Sequence, residues 1–131
     1  MKKIIQILLL STVFIASSAF SKDTIIPLED NSTILGKWKV THEAPARHKT
    51  KTPLNIHWDF KSDGSLDTTA KDARNRTGSM SLTVTYSIED GAIKKQLKPG
   101  SEKTELCKVV DQDEKSMVLH CKYLYFFLER E

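Results

Sequence analysis

The chain of 131 residues is most informative in what it lacks. It has no Gly-x-Ser-x-Gly elbow, no phosphate-cradling glycine loop, no cysteine placed as a nucleophile and no pair of acids on one predicted strand, so nothing in it points to an enzyme. Its two cysteines, Cys107 and Cys121, lack the Cys-x-x-Cys spacing of redox pairs and zinc knuckles. No cofactor is expected. Charge of one sign is also lacking: 20 basic side chains face 17 acidic ones, a balance that gives no reason to expect nucleic acid as a partner. Its longest apolar run, Ile4 to Ala16, falls short of the roughly 20 residues a membrane-spanning helix needs.

That run has another reading. Met1-Lys2-Lys3 is a cationic start, Ile4 to Ala16 is interrupted only by Gln6, Ser11 and Thr12, and Ser17 to Ser21 is small enough for a peptidase. This is the pattern of a secretory signal peptide over residues 1–21, with cleavage expected after Ser21 or, in the alternative, after Ala19. The expected product has no integral membrane span and is periplasmic or secreted. It has 110 residues, room for one small domain, and its charge balance drops to 18 basic against 17 acidic.

An exported chain meets oxidising conditions, which turns attention to the cysteines. Cys107 and Cys121 flank two apolar stretches around a polar centre, and a hairpin turning about Glu114 sets Cys107 opposite Cys121 and Val109 opposite Leu119. A structural disulfide is the expectation.

Ile34 to His42 alternates, with Ile34, Gly36, Trp38, Val40 and His42 on one face and Lys37, Lys39 and Thr41 on the other, the period of a half-buried strand. Residues 22–33 carry Pro27 and no period, and read as an extended lead-in in which Asp30, Asn31 or Ser32 can cap a turn. Glu43 to Pro53 reads as a long basic loop. Leu54, Ile56, Trp58 and Phe60 then alternate inward, Ser62-Asp63-Gly64-Ser65 supplies turn chemistry, and a weaker strand runs from Leu66 to Ala70. Beyond a polar loop, Met80, Leu82, Val84, Tyr86 and Ile88 alternate with Ser and Thr; Glu89-Asp90-Gly91 turns the chain into Ala92 to Leu97; the cysteine hairpin and an apolar run from Tyr123 to Leu128 follow. The predicted fold is all-β, an antiparallel up-and-down meander of seven or eight strands over residues 34–131.

Gly36-x-Trp38 at the start of the first strand resembles the Gly-x-Trp signature of lipocalins. Phe60 to Gly64, Tyr86 to Gly91, Val109-Val110, Ser116 to Leu119 and Phe127 to Arg130 resemble, in order, the strand and turn pattern of small bacterial lipocalin-like domains. The resemblance implies a barrel with one closed end, usually binding small apolar molecules, and a basic side chain, here Arg130, laid across Trp38. That placement needs a turn near Lys122 to Leu124. The stretch holds no turn residue, and by propensity residues 116–128 make one long strand. A closed eight-stranded barrel and a strongly curved open sheet both remain open at this stage.

A meander sorts its loops by end. Residues 43–53, 71–77 and 98–103 share one end with eight basic and three acidic side chains, and the turns at 61–65, 89–91 and 111–115 share the other with two basic and six acidic. The expected ligand is an apolar or amphipathic anionic small molecule, lined inside by Trp38, Val40, His42, Ile56, Trp58, Phe60, Met80, Leu82, Val84 and Tyr86. Arg47, Lys49, Lys51, Arg74 and Arg76 would orient it at the mouth. A lone inward histidine such as His42 is more often a core residue than a metal ligand, so no metal is expected. The alternative is a filled barrel serving as an interaction or inhibitor module for another envelope or secreted protein.

Overall fold

The computed structural model describes residues 24–71 and 79–131, and the expected leader lies outside these. Eight strands run in order: β1 (Gly36–Ala44), β2 (Thr52–Phe60), β3 (Ser65–Lys71), β4 (Ser79–Glu89), β5 (Ala92–Gln96), β6 (Thr104–Gln112), β7 (Ser116–His120) and β8 (Tyr125–Arg130). Each pairs antiparallel with the next, and β8 returns to pair with β1, giving a closed up-and-down barrel. No described helix is long and apolar enough to cross a membrane.

Closure depends on a turn that propensity hides. The chain reverses between His120 and Tyr125, with the Cys121 amide donating to the Leu124 carbonyl at 2.9 Å. Cys121 is held at the same point by its disulfide to Cys107, whose Cα lies 4.1 Å away. A covalent anchor at the start of the turn does the work that Gly or Pro usually does. The hairpin register places Val109 opposite Leu119, as the sequence predicts, and a bulge at Val110 shifts the remaining pairs to Asp111 with Val118 and Gln112 with Met117.

The closed end is a knot of aromatic rings and backbone carbonyls. Trp38 is fully buried and donates its indole N–H to the Ile34 carbonyl at 2.8 Å. Arg130 lies over the Trp38 ring, 4.1 Å from its centroid, and donates to the carbonyls of Leu35 and Thr33 at 2.8 and 3.1 Å. Gly36 sits beside them at φ +102°, where an L side chain is strained. The lead-in wraps this end: Ile26 bridges to Val109, the Leu28 amide donates to the Gly91 carbonyl, Asp30 caps the Ser32 amide, and Ile34 is driven fully into the core. Burying each such side chain contributes roughly 1.5–3 kcal/mol.

Asp113 closes the β6–β7 turn by accepting from the amides of Lys115 at 2.7 Å and Ser116 at 2.8 Å. Those bonds, Lys115 foremost, hold its carboxyl below the ordinary aspartate value of 3.8. A depressed carboxylate contributes stability that is present above its ordinary pKa and lost as pH falls through the folded one. Asp113→Asn should therefore lower the urea midpoint at about pH 7, and the gap from the parent should close near about pH 2; a pH-independent gap would refute this. Replacing both cysteines (Cys107→Ala with Cys121→Ala) should cost about 3 kcal/mol and lower Tm on the order of 15 °C in a thermal melt, and a shift of only a degree or two would count against the anchoring role.

Candidate functional site

The barrel has two unlike halves. Towards the closed end Trp38, Phe60, Leu66, Ile93, Met117, Leu119 and Leu128 are packed into the interior, each 1% exposed or less. Trp58 marks the boundary, its ring edge-on to Phe60 at 6.1 Å and tilted against Phe126 at 5.8 Å. Beyond it the inner face of β3 and β4 is uncovered. Cross-strand partners share a face, so Ala70 and Met80 continue the row of Val40 and Ile56, yet Met80 is 72% exposed and Leu82 39%. They correspond to inward strand positions but do not line an enclosed interior, because β5 ends at Gln96 and pairs with β4 only from Tyr86 onward.

Besides Glu43, which takes an inner position on β1, two charged side chains point into this half as a pair. Ile93 and Cys107 are paired and fully buried, so Lys95 and Glu105, two residues along each strand and paired in turn, take the same inward face. Lys95 Nζ lies 3.1 Å from Glu105 Oε2 and 5.5 Å from the centroid of Trp58 across the barrel. The two side chains are only 15% and 19% exposed. Glu105 also comes within 4.8 Å of both disulfide sulfurs, but these are bonded to each other, and a metal would have only the carboxylate to bind.

Of the residues expected inside, Trp38, Val40, Trp58, Phe60, Val84 and Tyr86 are buried and Ile56 packs partly against them. His42 is turned away. A bulge at Thr41 shifts both ladders of β1, setting His42 in register with Pro53 and Phe127 and giving Glu43 the inner position opposite Phe126. The mouth residues disperse as well. Arg47 folds back along the outer wall to pair with Asp111 at 3.1 Å, and Lys51 lies over the Phe127 ring at 4.1 Å. Lys49 is exposed, and Arg74 and Arg76 lie outside the described residues. The sequence reading missed Lys95 and Glu105; the signal was their alternation with Ile93 and Cys107.

The outer wall carries its own polar features: a hollow of about 330 Å³ bordered by Lys37, His57, Asp59, Asp67 and Thr69, with His57 hydrogen-bonded to Glu131. It lies outside the barrel.

An eight-stranded antiparallel meander, plugged at one end beneath an arginine-capped tryptophan, defines the lipocalin-like barrel fold. Solved structures agree. The chain is similar to a lipocalin-like protein from Bacteroides uniformis, with a TM-score of 0.62 and 17% identity over 76% of this chain and 99% of that one. It is also similar to an uncharacterized protein from Bacteroides eggerthii, with a TM-score of 0.57 and 16% identity over 74% of this chain and 98% of that one. No protein-family model matches the sequence, and no curated protein does.

The Lys95–Glu105 pair can be weighed by a double-mutant cycle. Lys95→Met or Glu105→Gln alone leaves a charge half-enclosed without its partner and should cost about 1–3 kcal/mol, while the double replacement should cost clearly less than the sum. Strict additivity in chemical denaturation would show that the two side chains do not interact.

Proposed function

We propose that this is an exported binding protein, not an enzyme, whose open half-barrel holds a small amphipathic anion such as a fatty acid. The observation that carries the reading is the inward ion pair at the floor of an uncovered cup that is mostly apolar, with Glu43 on its β1 side. Lys95 has three N–H donors and spends one on Glu105, so a ligand carboxylate can take another while Trp58 covers the ammonium. The apolar chain would lie along Leu54, Ile56, Phe126, Leu82 and Met80. The cation expected at the mouth is thus supplied from the inner wall. The filled lower half limits the ligand to a shallow seat. Export is supported by the apolar leader and by a disulfide of the kind that oxidising compartments retain.

A second reading has its own observation. Among the described residues, Ser79 to Val84 of β4 have a ladder partner only in β3, and such an edge can accept a strand from another protein.

Native mass spectrometry of the protein recovered from a bacterial envelope without delipidation should show a reproducible added mass. Met80→Glu should abolish it with circular dichroism unchanged. In solution without vesicles, Lys95→Met should weaken fatty-acid binding about tenfold, the loss of one charge-assisted hydrogen bond. A bare mass that persists after incubation with fatty acids would overturn the carrier reading.

A further inference from the structure

The mouth carries a second feature that extends beyond the cup. Three separate prongs rise around it, and each carries one exposed apolar side chain and at least one exposed lysine. At the β3–β4 end Met80 is opposite Ala70 on the inner face, and Lys71, paired with Ser79, takes the outer face. In the β5–β6 loop, drawn tight by the Leu97 amide donating to the Lys103 carbonyl, Leu97 is 54% exposed between Gln96 and Lys98. In the β7–β8 turn Tyr123 is 75% exposed with the Lys122 ammonium 5.1 Å from its ring centroid. The opposite end exposes Asp63, Asp90, Asp113 and Glu114 in its turns.

We infer that the mouth end docks on an anionic lipid bilayer surface. Four exposed lysines, Lys71, Lys98, Lys103 and Lys122, face Glu102 as the exposed acid of the same described loops, so this end is attracted to acidic headgroups while the acidic far end is repelled. The field therefore orients the barrel mouth-down. The apolar side chains stand on separate prongs with no contiguous face, which suits a soft interface better than a protein partner, whose contact requires a packed, complementary patch. Tyrosine settles at the headgroup level, and lysine stems lie along the apolar boundary with their ammonium groups in the phosphate layer. Of this surface only Met80 belongs to the cup as well; Leu97, Tyr123 and the four lysines stand outside it.

The test is flotation of the protein with vesicles of phosphatidylcholine alone and of phosphatidylcholine containing about 30% phosphatidylglycerol, a composition that gives a negative surface potential. Binding should be at least about tenfold stronger to the anionic vesicles and should fall as salt is raised. Replacing Lys71, Lys98, Lys103 and Lys122 by Gln should abolish it. A matched variant with Lys37, Lys39, Lys108 and Lys115 replaced by Gln, which loses the same charge from the wall and far end, should still bind. Met80→Ser with Leu97→Ser and Tyr123→Ser should weaken binding at every salt concentration. All variants share one N-terminus, so any pull of the apolar residues 4–16 cancels in the comparison. Equal loss in the two lysine variants, equal binding to both kinds of vesicle, or no binding to either would overturn the inference, the last pointing to an acidic protein surface instead.

Discussion

Strand β1 is hydrogen-bonded along both edges, to β2 and to β8, and the rest of the structure follows from that double engagement. A strand paired on both sides cannot adjust to one neighbour without disturbing the other. The irregularity at Thr41 therefore falls at the same place in both ladders. A single bulge bends the strand, increases its twist and lets the sheet curl far enough to close. The same closure brings Arg130, the last residue of β8, opposite Trp38, and fixes the guanidinium over the indole at the seam. Gly36 can take its positive φ there because it has no Cβ, and the Arg130 guanidinium comes within 3.5 Å of the place a Cβ would occupy.

The division into a filled end and an open end has an energetic cause. Two Trp, with Phe and Leu side chains, are enough to pack one half of so small a barrel and not both. Lys95 and Glu105 occupy the level where packing stops. Charged groups deeper in the interior would lose hydration that their mutual attraction does not restore, whereas here each keeps partial access to water and gains a partner. The pair is therefore compatible only with an open upper half. A dry, fully packed barrel of this sequence would have to bury both charges.

The meander order, the hairpin register at Val109 and Leu119 and the disulfide were legible in the sequence because each rests on periodicity or spacing that local chemistry enforces, whereas the Arg130–Trp38 contact was implied only by the resemblance to lipocalins. What was not legible depends on the closed barrel. The reversal at Cys121 to Leu124 uses no turn residue, since the disulfide and one backbone hydrogen bond hold it, so propensity favours a continuous strand there. The bulge at Thr41 has no sequence mark, and because strand periodicity is two, one extra residue exchanged His42 for Glu43 on the inner face. Arg47 was assigned to the mouth by loop position alone. Its loop folds back to Asp111, which register places in one outward row with Val118, Phe127 and His42.

Exposure at the mouth also separates what folding requires from what it does not. A side chain such as Met80, still 72% exposed, gains little from folding at about 25 cal/mol per Å² of apolar surface buried, and a polar residue would serve stability as well. Single exposed apolar residues are ordinary on protein surfaces and need no account. Three at one end, each on a different hairpin that also carries an exposed lysine, form an arrangement that core packing does not produce. The polar outer positions of β4, Ser79, Ser81 and Thr83, show that this hairpin is not apolar throughout: its outward face is bonded to β3 by Thr69 with Ser81 and by Thr83 to Asp67. The apolar character is confined to the inner face and rim, where the cup opens, so the free energy those side chains leave unused in folding is available to whatever meets the mouth.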